Sequence, residues 1–135
     1  MANILIGENV PDIQDVLVRI LRRDGHELRV TDNGDDILNH ALGEPPDLLV
    51  MNPTLPGLDG LEVCRRLRST PHTQALPILM LSVRQYPAEK NAAYQAGADD
   101  YLGKPFHPHD LLTRAYTLLT RNHPPEQTQP VHTPA

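Results

Sequence analysis

The side chains that could do chemistry follow short apolar runs, which the sequence predicts to be strands. They include the side chains of Glu8, Asn9, Asn52, Ser82 and Lys104, and also those of Thr31, Asp32, Thr54 and Arg84. Hard divalent cations prefer several carboxylate oxygens. A site whose charged groups were Glu8 and Lys104 would have charges that sum to zero, and we expect such a site to bind Mg²⁺ weakly or not at all. An amide nitrogen is a poor nucleophile, because its lone pair is delocalised into the carbonyl.

Strands and helices that alternate along the chain must position these side chains. Continuous apolar runs predict buried strands, and apolar residues three and four positions apart predict amphipathic helices. The predicted strands are 3–6, 27–30, 47–51, 77–82 and 100–102, and the predicted helices are 12–23, 33–42, 58–68, 87–96 and 108–121. Strict alternation predicts an α/β domain with a parallel sheet and helices on both faces. Ligands in such folds lie at the carboxyl ends of the strands.

Composition limits the domain count and the kind of partner. The chain has 135 residues, which suits one domain, and its formal net charge of −5 argues against direct nucleic-acid binding. It has one cysteine, which fits a reducing compartment, and it shows neither a signal peptide nor an apolar run able to span a membrane. We therefore expect a cytoplasmic protein with a folded domain over residues 1–121 and a Pro-rich, disordered linker or tail over 122–135.

Two long motifs resemble the receiver domain of two-component response regulators, the CheY-like family. One motif combines Asp47–Asn52 with Leu55–Cys64, and the other is Ala96–Phe106. The resemblance covers about residues 2–121 and implies a single (βα)5 doubly wound, flavodoxin-like fold. It also implies phosphoryl transfer from a histidine kinase to an aspartate after the third strand, next to a Mg²⁺ held by acidic residues.

Residue by residue, this chain departs from that pattern at the reacting position. Asn52 stands where the resemblance implies the phosphoacceptor aspartate, and Glu8 and Asn9 stand where it implies an acidic pair. Ser82 and Lys104 match the hydroxyl and the lysine that contact the phosphoryl group. Thr54 matches a position whose backbone carbonyl helps to hold the metal, so the pocket is retained but degenerate.

The mismatch leads to a structural hypothesis for the pocket. We expect Glu8 and Lys104 to pair directly, with Asn9 and Asn52 completing a hydrogen-bonded cluster. We expect Ser82 to bond to Asn52 or to water. The resemblance also implies a cis peptide bond before Pro105. Val83 is larger than the Ala or Gly that the family often has there, and we expect its bulk to narrow access to residue 52.

The leading hypothesis is a non-enzymatic signalling module, a pseudo-receiver that acts through protein contacts and needs no cofactor. The resemblance implies a face formed by the fourth helix, the last strand and the fifth helix, which would bind a partner or output domain or a second copy. The candidate surface residues are Arg84, Tyr86, Lys90, Tyr94, Tyr101 and Arg114, and Tyr101 also matches the family's aromatic switch. Two alternatives stay open: phosphorylation at a non-standard residue (Ser82, Thr54 or Glu8), and the sensing of a small ligand.

Overall fold

The computed structural model describes residues 2–122, in which strands and helices alternate. The elements are β1 Asn3–Gly7, α1 Pro11–Arg23, β2 Glu27–Thr31, α2 Gly34–Gly43, β3 Leu48–Met51, α3 Gly60–Arg68, β4 Ile78–Ser82, α4 Pro87–Ala96, β5 Asp100–Gly103 and α5 Pro108–Asn122. A short 3₁₀ turn at Pro71–Thr73 lies between α3 and β4, and the sequence did not predict it. The predicted tail, apart from its first residue Asn122, lies outside the described residues.

The five strands form one parallel sheet in the order β2-β1-β3-β4-β5. Gly7 pairs with both Thr31 and Met51, and Ser82 pairs with Gly103, so the strands end close to one another at the same edge. This arrangement confirms the predicted doubly wound, flavodoxin-like fold. It brings the segments that follow β1, β3, β4 and β5 to one edge of the sheet.

The hydrophobic core lies on both faces of the sheet. Alternate residues of β1 point to opposite faces: Leu5 packs with the α2, α3 and α4 side, and Ile4 and Ile6 pack with the α1 and α5 side. Every residue of β3 is buried. Burial on both faces explains why this strand is a continuous apolar run rather than an alternating one.

Helix α1 shows where the apolar pattern overstated burial. Leu17 and Leu21 are buried, as their spacing predicts, but Val16 is 38% exposed. An α-helix has 3.6 residues per turn, and Val16 falls at the solvent edge of the apolar stripe. None of the helices within residues 2–122 has the length and apolar character that a bilayer crossing requires.

Candidate functional site

The centre of the site is a buried ion pair between Glu8, directly after β1, and Lys104, directly after β5. Lys104 Nζ lies 2.7 Å from Glu8 Oε1, and the two side chains are 7% and 1% exposed. The other carboxylate oxygen, Oε2, accepts a hydrogen bond of 3.1 Å from the Val10 N–H. Both oxygens of Glu8 are therefore engaged, and the predicted direct pairing is present.

The two amides do not join this pair. Asn52 Oδ1 accepts a hydrogen bond of 3.0 Å from the Thr54 N–H, a local turn that short polar side chains form readily. Asn9 is exposed. Within residues 2–122 neither amide bonds to Glu8 or Lys104, so the predicted four-residue cluster is wrong.

Ser82 also bonds locally rather than across the site. Its Oγ accepts a hydrogen bond of 3.0 Å from the Arg84 N–H, and the residue is 3% exposed. The expected bond to Asn52 is not formed, because the hydroxyl is directed to the backbone two residues along. Thr54, by contrast, is exposed.

A series of hydrogen bonds connects the backbone of Lys104 to Tyr101 through Ser82 and Arg84. The backbone N–H of Lys104 donates to Ser82 O at 2.8 Å, and the Tyr101 hydroxyl donates to Arg84 O at 2.5 Å. Tyr101 is only 6% exposed. Its prediction as a surface residue is wrong, because it belongs to the buried core cluster that also includes Ala93 and Ala96 of α4. The predicted cis bond between Lys104 and Pro105 is present.

A cavity of about 150 Å³ lies beside this bond network. The residues that line it come from the β3–α3 loop, α3, the end of β4, the β4–α4 loop, α4 and β5: Pro53, Thr54, Asp59, Leu61, Ser82, Arg84, Glu89, Ala92 and Tyr101. Val83 does not line it and is 71% exposed. The expected narrowing of access to Asn52 by Val83 stays a prediction, since Asn52 does not line this cavity either.

The predicted interaction residues on α4 and α5 flank β5. Tyr86 is 73% exposed and Tyr94 is 45% exposed. Arg114 on α5 donates two hydrogen bonds, of 2.7 and 2.9 Å, to the Asp100 carboxylate on β5. Partial burial, and secondarily the charge of Asp100, raises the pKa of the Tyr94 hydroxyl. Lys90 lies half-buried one turn before Tyr94.

Comparison with known proteins decides the family. The family model described as "Response regulator receiver domain" matches residues 4–116. The chain belongs to this family. Receiver domains are signalling modules that work with partner or output domains of two-component systems.

Individual relatives agree with that assignment. The response regulator MprA of Mycobacterium avium is 40% identical over 128 residues, which cover 95% of this chain and 55% of the relative. This chain therefore spans about half the length of that curated relative. The receiver domain of a signal transduction histidine kinase from Syntrophus aciditrophicus has a TM-score of 0.84 at 26% identity, with 98% of both chains covered.

A third relative bears on metal binding. The receiver domain of the sensor histidine kinase PA1611 from Pseudomonas aeruginosa is 29% identical, with a TM-score of 0.79, and covers 89% of this chain and 95% of its own. Its crystal structure has a magnesium ion coordinated in the active-site cleft.

The corresponding residues of this chain do not fit a magnesium ion. The single carboxylate, Glu8, is held by Lys104 and by the Val10 N–H, and Asn52 Oδ1 is held by the Thr54 N–H. Within residues 2–122, no group of three or more His, Cys, Asp or Glu side chains could hold a metal. A hard dication would have to displace the Lys104 ammonium from the Glu8 carboxylate.

Sequence reasoning missed one role of Glu8. The residue also supports the start of α1, since its backbone carbonyl accepts a hydrogen bond from the Gln14 side chain. A signal was available: Glu8 precedes Pro11, and proline is favoured at the first position of a helix. Acidic side chains near a helix N-terminus commonly bind its free N–H groups.

Proposed function

We propose that this receiver domain is a pseudo-receiver, which signals through protein contacts and without phosphorylation. The observation that carries the proposal is an amide, Asn52, at the position of the phosphoacceptor. An amide oxygen or nitrogen does not form the acyl phosphate that a carboxylate forms. The domain then acts as a non-enzymatic module whose partners respond to its surface.

The electrostatics of the pocket support the same proposal. In a conventional receiver several carboxylates create a deficit of positive charge that draws in Mg²⁺, and the metal screens the phosphoryl group. Here the ammonium of Lys104 lies 2.7 Å from the Glu8 carboxylate and neutralises its charge. The pair has no excess negative charge to attract a cation, so we expect weak magnesium binding and signalling that does not require magnesium.

The partner in this proposal is a protein or an output domain that docks on the face formed by α4, β5 and α5. The exposed side chains of Tyr86 and Tyr94 supply apolar contact area with polar tips, a combination favoured at interfaces. A homodimer through this face, and the absence of nucleic-acid binding by this domain, are part of the proposal. The single cysteine favours a reducing compartment, so the proposed location is cytoplasmic.

Phosphorylation at a non-standard residue is the main competing function. Ser82 is 3% exposed and its hydroxyl oxygen is bonded to the Arg84 N–H. Glu8 is 1% exposed and both of its oxygens are engaged. Thr54 is exposed, but no base lies in hydrogen-bond contact with its hydroxyl among the described residues. These environments favour the pseudo-receiver.

Intact mass measurement after incubation with acetyl phosphate and Mg²⁺ tests the proposal. We expect no added phosphoryl mass, while a receiver with an aspartate at the acceptor position, treated in parallel, gains one. A phosphoryl adduct on the wild-type chain would contradict the proposal. Peptide mapping would then identify the acceptor and separate Asn52 from Ser82, Thr54 and Glu8.

A further inference from the structure

Three arginines on helix α1 have no acidic partner. The chain has ten arginines, all within the described residues. Seven of them form an ion pair with a carboxylate: Arg29, Arg65, Arg66, Arg68, Arg84, Arg114 and Arg121. Arg19, Arg22 and Arg23 form none within residues 2–122, and all three are exposed. These three side chains form the α1 arginine patch, a group of unpaired positive charges on a chain whose formal net charge is −5.

Helix geometry places the three side chains together but does not neutralise them. Arg22 and Arg23 follow Arg19 by three and four positions, so they are its neighbours on the helix surface. Arg22 and Arg23 lie in the last turn of α1, where the negative end of the helix dipole favours cations. That effect falls off within one turn and does not account for Arg19. The carboxylate of Asp24, next along the chain, lies 3.3 Å from His26 Nε2 instead. The patch is therefore open to an external anion.

Two open concavities adjoin the patch. The first has a volume of about 470 Å³ and is lined by Asp15, Val18 and the three arginines. The second has a volume of about 410 Å³ and lies beside the start of β2, and its lining residues are Asn3, Arg22, His26, Glu27, Leu28 and Arg29. Arg22 lines both, so the two concavities are neighbours on the surface. Together they offer room for several residues of a peptide rather than for one small ion.

The charges in the two linings specify an anionic ligand. Three guanidiniums and one carboxylate, that of Asp15, line the first concavity. Two guanidiniums, of Arg22 and Arg29, and one carboxylate, of Glu27, line the second. Arg29 is partly engaged, because it donates a hydrogen bond of 2.7 Å to the Glu44 carbonyl. Cations outnumber carboxylates in both linings, so this surface attracts an anion.

Carboxylates on a peptide fit this surface better than a phosphate backbone does. Duplex DNA carries one negative charge per roughly 1.7 Å, and Asp15 and Glu27 would repel so continuous an anion. Carboxylates two residues apart on an extended peptide point to the same side and are roughly 6.5–7 Å apart. That spacing is close to the roughly 5–6 Å between helix neighbours such as Arg19 and Arg22. A guanidinium also binds a carboxylate through two parallel hydrogen bonds.

We propose that the α1 arginine patch docks an extended acidic segment of a partner protein, whose carboxylates at alternate positions accept hydrogen bonds from Arg19 and Arg22. This surface is distinct from the face formed by α4, β5 and α5. Helix α1 packs on one side of the sheet through Leu17, and α4 packs on the other side through Ala93. The proposal holds for a phosphorylated and an unphosphorylated domain alike, so its test is independent of the proposed function.

Titration of the ¹⁵N-labelled chain with acetyl-Glu-Ser-Glu-Ser-Glu-amide tests the proposal, with acetyl-Gln-Ser-Gln-Ser-Gln-amide as the neutral control. At low ionic strength we expect saturable shifts of the Arg19, Arg22 and Arg23 amides for the acidic peptide, with a dissociation constant on the order of 1 mM. We expect none for the neutral peptide. The affinity should fall about threefold or more when NaCl is raised to about 0.15 M, because exposed ion pairs are screened. Equal shifts from both peptides, or none from the acidic one, would overturn the proposal.

A charge-matched pair of variants locates the binding surface. Arg19→Gln/Arg22→Gln removes two charges from the patch, and Arg65→Gln/Arg66→Gln removes two exposed arginines of α3 that pair with Glu62. The first variant should bind the acidic peptide about fivefold more weakly or worse, and the control should change the affinity less than about twofold. An equal loss in both variants would show a general charge effect and would refute the assignment. Glutamine forms helices about as well as arginine, and the two peptides on the wild-type chain decide the outcome if a variant fails to fold.

A second arm separates a protein partner from a nucleic acid. A hexathymidylate oligonucleotide presents phosphates on a flexible backbone. We expect it to bind the wild-type chain more weakly than the acidic peptide does at the same ionic strength. Equal or tighter binding that shifts the same amides would assign the patch to phosphate polymers and would contradict a peptide partner.

Discussion

Asn52 differs from aspartate by one functional group, and the difference changes both charge and reactivity. The amide cannot contribute to a cation site as a carboxylate does, and its Oδ1 is already bonded to the Thr54 N–H. Spontaneous conversion to aspartate proceeds through attack by the N–H of the following residue. That residue is Pro53, which has no N–H, so the amide is chemically persistent.

Restoring two carboxylates should restore magnesium binding. In Asn9→Asp/Asn52→Asp the pocket holds three carboxylates with Glu8, and the excess negative charge then favours binding of a hard dication. We expect MgCl₂ to raise the melting temperature of this variant, with a dissociation constant on the order of 1 mM. We expect no comparable increase for the wild-type chain.

The control for this experiment adds the same charge elsewhere. Asn39→Asp/Asn91→Asp introduces two carboxylates on exposed helix surfaces of α2 and α4. Magnesium should leave its melting temperature as unaffected as that of the wild-type chain. An equal stabilisation of both variants would show a general charge effect and would contradict a specific site.

Cys64 should be inert in the folded chain. Burial raises the pKa of its thiol to about 11, and the thiolate is the reactive form. We expect negligible alkylation by iodoacetamide at pH 8 and complete alkylation in denaturant. The assay is unambiguous, because the chain has one cysteine. Rapid alkylation of the native chain at pH 8 would contradict the burial of this side chain.

Helix boundaries show what a periodic pattern leaves open at the level of elements. The sequence predicted α3 from Leu58, but the helix begins at Gly60. The Asp59 side chain accepts a hydrogen bond of 3.2 Å from the Leu61 N–H, and Gly57 takes a left-handed φ of 76° just before it. The Asp59 cap and the Gly57 turn together set the start of α3 at Gly60. Apolar spacing identifies a helix, whereas local hydrogen bonds fix its ends.

Gly34 and Gly43, at the two ends of α2, should respond oppositely to substitution by alanine. A Cβ at Gly34 would lie 1.7 Å from Leu58 O, whereas a Cβ at Gly43 meets no atom within 4 Å. We expect Gly34→Ala to cost about 2 kcal/mol or more, because backbone must move. Gly43→Ala should be neutral or stabilise by up to about 1 kcal/mol.

Urea unfolding of both glycine variants measures this difference. Each is compared with the wild-type chain at the same pH and temperature. If Gly34→Ala were as stable as Gly43→Ala, the close approach of α2 to the β3–α3 loop would be wrong. The pair therefore tests how the loop that carries Asn52 is held in place.

The Glu8–Lys104 pair acts at the scale of the whole molecule, because it joins residues 96 positions apart in the chain. It links the β1–α1 segment to the β5–α5 segment across the end of the sheet. A buried pair need not stabilise a fold relative to apolar residues, but removing one partner leaves an uncompensated charge.

Single and double substitutions of this pair should therefore differ. We expect Lys104→Met to lower the free energy of unfolding by about 3 kcal/mol, since it leaves the Glu8 carboxylate buried without its cation. The double variant Glu8→Gln/Lys104→Met should lose clearly less than the sum of the two single variants. Denaturant unfolding of the wild-type chain, the two single variants and the double variant gives the coupling free energy between the two side chains. Strictly additive losses of stability would contradict an energetic interaction between them.

The sequence by itself determined the order of strands and helices, the family and the missing phosphoacceptor. Apolar periodicity and residue identity are local properties, and the motifs around Asn52 and Lys104 are contiguous in the chain. Only the tertiary structure decided the partners of the polar side chains. Glu8 pairs with Lys104, Asn52 accepts a hydrogen bond from the Thr54 N–H, and Tyr101 donates one to the Arg84 carbonyl. The tertiary structure also decided the inward position of Tyr101. A short polar side chain can form hydrogen bonds with several nearby groups. Which bond it forms depends on how the loops pack at the end of the sheet, and that packing exists only in the folded chain.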